Sequence, residues 1–270
     1  MPDLRISLLQ TALHWEDKKA NLAMLEEKIA DLPQNTELII LPEMFSTGFS
    51  MNVESLAETM TGPTIEWMRT TAAGKAAIIT GSIIIKENPG GSPVFYNRLV
   101  WMLPTGDYGF YDKRHLFAYG KEDKHFSPGK KRLIASVNKW KVNLLICYDL
   151  RFPVWSRQSH LADSPSESEY DLLIVVANWP SVRSHAWRTL LQARAIENQC
   201  YVIGVNRIGK DGNGFEYGGE SMIVGPLGDI INVLSGEEEI ISHTLDRNKL
   251  EEVRQKFPFL RDADKFFIQP

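Results

Sequence analysis

With 270 residues, 43% of them hydrophobic and 24% charged, the chain has the composition of an ordinary globular protein long enough to enclose a sizeable core. Its formal net charge of -4 offers no general attraction to nucleic acid or to an anionic membrane surface, so a small-molecule partner is expected. Its two cysteines, Cys147 and Cys200, are too few and too far apart for a disulfide framework or a CxxC metal site. No apolar run approaches bilayer length, and the opening MPDLRISLLQ lacks the long apolar core of a secretory leader. A reducing, cytoplasmic setting is the expectation.

In chain order, RISLLQ predicts a short strand, and the segment from Trp15 to Ala30 places Leu22, Leu25 and Ile29 on one side of a helix. ELIILP is a continuous apolar run of strand length, as expected of a strand buried on both faces. TIEWMRTTAAGKA predicts a helix, AAIITGSIII a strand, and RLVWMLP a second strand beyond the PGGSP loop. VNLLIC and YDLLIVVAN predict two more buried strands, SHAWRTLLQARAIENQ a helix, and YVIGVNRIG a strand. SMIVGPLGDIINVL, with Gly225-Pro226 and Gly228-Asp229 between apolar pieces, predicts a hairpin. ADSPSESE at 162–169 predicts an exposed loop inside one domain, and alternation of this kind implies a layered α/β protein. Residues 246–270 contain an aromatic stretch broken by Pro258 and are expected to form a C-terminal tail at a subunit interface.

Three reactive residues stand where apolar runs end. Cys147 closes VNLLIC, either as a small buried residue or as a nucleophile emerging at a turn, with the backbone N–H of Tyr148 beside it as an oxyanion donor. Glu43 follows ELIILP, as a solvated strand terminator or as a general base. Lys113 follows YGFY in a charge cluster with Asp112 and Arg114, as part of a solvated turn or as a cation that steadies a thiolate and an oxyanion. In open α/β sheets ligands gather at the carboxyl ends of strands, so the three can converge despite their separation in sequence. His115 and His125 lie near Lys113 and admit a Cys-His dyad as an alternative. Cys200 opens the run CYVIGV and reads as a buried small residue.

Taken together, LPEMFSTGF, YDKRHLF, SPGK and ICYDLRFP resemble, in that order, the signatures of the nitrilase, or carbon-nitrogen hydrolase, superfamily. The resemblance runs from the first strand to the hairpin near residue 234. It implies a four-layer αββα sandwich in a single domain, 1–270, and a Glu-Lys-Cys triad carried by Glu43, Lys113 and Cys147. Glu122, in KEDKHFSPG, matches a second glutamate that supports the lysine. The resemblance also implies a homodimer and no metal or other cofactor.

CYDLRFPVWSR and ANWPSVRSHAWRTLLQARAIENQCYVIGVNRIG are similar to the bacterial ω-amidase branch. That similarity implies hydrolysis of the terminal amide of 2-oxoglutaramate or 2-oxosuccinamate. Such a substrate carries a carboxylate, for which Arg151, Arg183, Arg188 and Arg207 are candidate partners. Arg151 reads first as an organiser of the turn after Cys147 and second as a substrate contact, and Arg194 stands three residues before Glu197, as in a helical ion pair. Trp179 follows a buried strand and is expected either to line the pocket or to pack in the core. The alternatives are another carbon-nitrogen specificity (a nitrile, an N-carbamoyl amine or a deaminated-glutathione amide) or a non-catalytic binding protein.

Overall fold

The computed structural model describes residues 2–158, 168–264, 266 and 268. Fourteen strands are present among them. In chain order they are β1 (Leu4–Gln10), β2 (Leu38–Ile40), β3 (Ile78–Glu87), β4 (Val94–Met102), β5 (Tyr108–Asp112), β6 (Ile134–Val137) and β7 (Trp140–Ile146). They continue with β8 (Leu172–Val176), β9 (Tyr201–Val205), β10 (Ile208–Lys210), β11 (Glu216–Gly218), β12 (Met222–Val224), β13 (Ile230–Val233) and β14 (Glu239–Leu245). The helices are α1 (Lys18–Ala30), α2 (Val53–Leu56), α3 (Pro63–Lys75), α4 (Glu122–His125), α5 (Pro153–Ser156), α6 (Ser184–Asn198) and α7 (Arg247–Lys256).

Two six-stranded sheets have the orders β14-β1-β2-β3-β4-β5 and β13-β12-β9-β8-β7-β6, and β10 and β11 form a separate small ribbon. Each large sheet has three parallel strands at its centre, β1–β3 in the first and β7–β9 in the second, flanked by antiparallel partners. The continuous aliphatic runs follow from this placement, because the central strands bury both faces. Leu4, Ile6, Leu8, Leu38 and Ile40 of the first sheet share one core with Leu144, Ile146, Leu172 and Ile174 of the second. The alternate residues Leu9, Ile39 and Ile79 pack outward against Leu25 and Ile29 of α1 and Ile65, Met68 and Ala72 of α3. On the far side α6 lies on the second sheet. Gly204 of β9 sits so close beneath it that a Cβ would come within 2.6 Å of Trp187 and Leu191. The layers are therefore α, β, β and α.

Helix ends follow local chemistry. The expected start of the first helix at Trp15 moves to Lys18, because the Asp17 side chain accepts the Ala20 N–H at 3.0 Å and Glu16 is held at φ 57°. Pro63 occupies the first turn of α3, and left-handed residues close α3 and α6, Ala76 at φ 51° and Gln199 at φ 43°. The expected hairpin near residue 230 is the β12–β13 pair. The loop expected at 162–169 lies outside the described residues up to 167.

The first part of the expected C-terminal tail is instead a helix of this same fold. Asp246 caps α7 by accepting the Lys249 N–H, and Leu250 enters the central core. Arg247 and Arg254 meet Asp171 at 2.8 and 2.7 Å, just before β8, and the Arg247 guanidinium lies over Trp140 at the start of β7. Thus α7 crosses the amino ends of β7 and β8, opposite the ends where Glu43 and Cys147 stand. No helix among the described residues is long and apolar enough to cross a membrane.

Candidate active site

Glu43 lies just past β2 and is fully buried. Its Oε1 accepts from Lys113 Nζ and from Asn97 Nδ2, each at 2.8 Å, and its Oε2 accepts the backbone N–H of Asn178 at 2.8 Å. The last bond joins the two sheets, since Asn178 follows β8. Met44, at φ 45°, turns the chain away immediately afterwards, and its N–H donates to Ser82 Oγ. A buried carboxylate of this kind is sustained only by such donors.

Lys113 lies just past β5, again fully buried, between Glu43 and Glu122. Glu122 reaches Lys113 at 2.9 Å and also accepts the Phe117 N–H and an Asn97 N–H. Burial opposes the charge on Lys113, but Glu122 and Glu43 together hold its pKa above the ordinary lysine value. Burial, with some help from Glu43, raises the Glu122 pKa against the pull of Lys113. The SPGK turn packs on this strand end. Gly129 donates to the Lys113 carbonyl at 2.8 Å, and a Cβ on Gly129 would fall 2.0 Å from the Asp112 carbonyl oxygen.

Cys147 immediately follows β7 and opens a tight 3-10 turn, Cys147–Arg151, with φ at 44°. A non-glycine residue in the left-handed region stores strain, and such strain collects at functional turns. Cys147 lines a cavity of about 110 Å³ together with Lys113, Asn178 and Trp179. Burial and the Glu43 carboxylate push the Cys147 thiol well above its usual pKa, and the cation of Lys113 only partly offsets them. The resting group is therefore a thiol with a carboxylate at hand to take its proton. Lys113 Nζ lies within hydrogen-bond distance of Glu43 Oε1 and of both Glu122 oxygens, and the residue lines the cavity, where its charge can act on a developing oxyanion.

The remaining expectations separate cleanly. Tyr148 turns its ring toward Phe117 and Phe152, and it too lines the cavity. Trp179 lines the cavity, with its indole N–H donated to the Arg183 carbonyl at 2.8 Å. Arg151 stacks on Trp179 at 4.9 Å and Arg183 on Phe117 at 5.3 Å, both facing the cavity and both without a carboxylate partner among the described residues. Arg188 is paired with Glu220 at 2.7 Å, and Arg207 is buried against the carbonyls of Leu13 and Ile208, so neither faces the cavity. Arg194 makes the expected bond to Glu197 and also donates to the Leu150 carbonyl in the turn after Cys147. His115 bonds to Asp149 and His125 is exposed, which leaves the Cys-His alternative without a partner for the thiol. Cys200 is buried, as expected.

Sequence reading missed Asn97, which ties Glu43 to Glu122, and Asn178, whose main chain holds Glu43 and accepts from the Cys147 sulfur at 3.8 Å. Asn178 stood next to the expected Trp179 at the end of a buried strand, and that position was the available signal. Asn97 sits inside a strand and carried none.

The family model for carbon-nitrogen hydrolases matches residues 5–255. The chain belongs to the carbon-nitrogen hydrolase family. It is accordingly a hydrolase acting on carbon-nitrogen bonds. It is 42% identical to "Omega-amidase YafV" of Escherichia coli strain K12, over 98% of this chain and 99% of that one. It is 30% identical to "2-oxoglutaramate amidase" of Bacillus subtilis strain 168, over 96% and 97%. A crystal structure of XC1258 from Xanthomonas campestris, described as a CN-hydrolase superfamily protein with an arsenic adduct in the active site, superposes with a TM-score of 0.95. The two are 41% identical and each chain is covered completely.

Proposed function

We propose that this carbon-nitrogen hydrolase is an ω-amidase that converts 2-oxoglutaramate or 2-oxosuccinamate to the 2-oxo diacid and ammonia. The observation that carries the reading is one cavity lined by Cys147 and Lys113, backed by Glu43, and furnished with two guanidinium groups that have no carboxylate partner among the described residues. The similarity to the Escherichia coli and Bacillus subtilis amidases points the same way.

In this mechanism Glu43 takes the thiol proton as Sγ attacks the amide carbon. The oxyanion is held by Lys113 and the Tyr148 N–H. Collapse breaks the carbon-nitrogen bond, Glu43 returns the proton to the leaving nitrogen, and ammonia departs from a thioester. Water, deprotonated by Glu43, attacks the thioester. The acid leaves and the thiol regains its proton. Glu122 acts by fixing Lys113, and Asn97 by bridging the two carboxylates that flank it.

Arg151 and Arg183 receive the carboxylate end of the substrate in this reading, and Trp179 forms a wall. Ammonia release from 2-oxoglutaramate, compared with a nitrile, an N-carbamoyl amine and a deaminated-glutathione amide, tests it. The 2-oxo amide should be turned over fastest, and preference for a substrate lacking the 2-oxo carboxylate would overturn the assignment. Arg151→Ala and Arg183→Ala should each raise KM roughly 10–100-fold with little change in kcat, as expected for loss of a charged hydrogen bond made equally before and during reaction.

We also infer a homodimer. Phe259, beyond α7, is 62% exposed, apolar surface of the kind a second subunit covers. Sedimentation velocity should give a dimer at micromolar concentration, and a concentration-independent monomer would refute it.

A further inference from the structure

Asp149 is a charged residue with no accessible surface, two positions after Cys147, and it is not among the groups that face the cavity. Each of its oxygens is bonded twice. Oδ1 accepts the backbone N–H of His115 at 2.9 Å and lies 2.8 Å from Nδ1 of the His115 ring, which donates in the tautomer carrying its hydrogen there. Oδ2 accepts the backbone N–H of Ile146 at 3.1 Å and the Tyr111 hydroxyl at 2.7 Å. Tyr111 in turn accepts from the Trp155 indole at 3.0 Å and the Arg114 N–H at 3.2 Å.

These partners fall into two groups. Ile146 immediately precedes Cys147, at the end of the second sheet's β7. Tyr111 and His115 bracket Lys113, at the end of the first sheet's β5. Within the reach of one carboxylate, therefore, the turn that bears the sulfur is joined to the loop that bears the ammonium. We propose that Asp149 is the positioning residue that sets the distance between Cys147 and Lys113, with Tyr111 and His115 as its arms. The inference rests on the reading of Cys147 as the nucleophile.

An Ile146 N–H released from Asp149 lets the Cys147 turn, already held at an unfavourable φ, relax away from the cation. A displacement of about 1 Å at a reacting atom costs on the order of 100-fold in rate. Asn at position 149 keeps the shape but presents an NH2 where one pair of donors points. Tyr111→Phe keeps the carboxylate and removes one arm.

The test measures kcat, KM and the rate of Cys147 alkylation by iodoacetamide, a small amide that enters the same cavity and reads alignment whatever the natural substrate is. Asp149→Asn and Tyr111→Phe should lower kcat roughly 10–100-fold with KM within about threefold, and alkylation of Cys147 should slow in parallel. Asp171→Asn supplies the control, since Asp171 is a comparably buried carboxylate whose arginine partners lie at the other end of the sheets. It should lower the urea midpoint while leaving kcat within about twofold. If Asp149→Asn does not fold, Tyr111→Phe decides. The proposal is overturned if kcat and alkylation stay within about twofold of the parent, or if Asp171→Asn loses as much activity at equal loss of stability. Absence of turnover with 2-oxoglutaramate in the parent protein would count against the substrate reading alone, because alkylation would still report the alignment.

Discussion

On the proposed mechanism Cys147→Ala should abolish ammonia release, by at least about 10⁴-fold, because it removes the group that forms the acyl intermediate. The protein should nevertheless fold, since alanine fits wherever the thiol did. Cys147→Gly adds a second reading. At φ 44° any Cβ is strained, so the glycine protein should be more stable than the alanine protein by about 1 kcal/mol in urea unfolding. Equal stability of the two variants would mean that the nucleophile turn stores no strain, and residual turnover in Cys147→Ala would remove the thioester from the mechanism.

Lys113→Met should be the most damaging single change to both activity and stability. It removes the cation that the proposed mechanism assigns to the oxyanion, for a loss on the order of 10³-fold in kcat. It also leaves Glu43 and Glu122 buried together without their shared partner, at a cost of about 3–5 kcal/mol. The pH dependence fixes the cause. Burial already raises the Glu122 pKa, and Lys113 is the largest of the groups that lower it, ahead of the Phe117 N–H and Asn97, so the variant's carboxyl should titrate higher still. A carboxyl whose folded pKa exceeds its unfolded value contributes stability at low pH that is lost as pH rises through the folded value. The variant should therefore lose stability as pH rises above the ordinary carboxylate range more steeply than the parent. A pH-independent difference in urea midpoint would show instead that packing, not charge, is what Lys113 supplies.

The parts of this molecule that its sequence makes legible are those where one residue type does one job repeatedly. β2, β7 and β8 are visible because strands buried on both faces must be continuously aliphatic, and Glu43 and Cys147 are visible because each interrupts such a run. Asn97, Asn178 and Asp149 are not, since each acts through hydrogen bonds to elements distant in the chain, and no period or composition records a bond from residue 178 to residue 43. The helix α7 hid for a different reason. Its only buried apolar residues are Leu250 and Val253, and its remaining anchors are arginines, whose partner Asp171 precedes them by more than seventy positions. The ribbon of β10 and β11, which brings Tyr217 and Phe215 to the cavity, is too short and too polar to announce itself.

The pairing of β1 with β14, in register from Leu4 opposite Leu245 to Gln10 opposite Glu239, bears on how the chain is made. During synthesis β1 can meet β2 early, yet its other edge stays open until the strand at 239–245 has emerged. For most of translation a seven-residue strand of largely apolar composition offers an unpaired ladder to any neighbouring nascent chain. Closing it also joins segments more than 220 residues apart, a non-local pairing of the kind that slows folding. A chain truncated before residue 239 would leave that edge of β1 without its partner, exposing it to the association that unpaired strand edges invite.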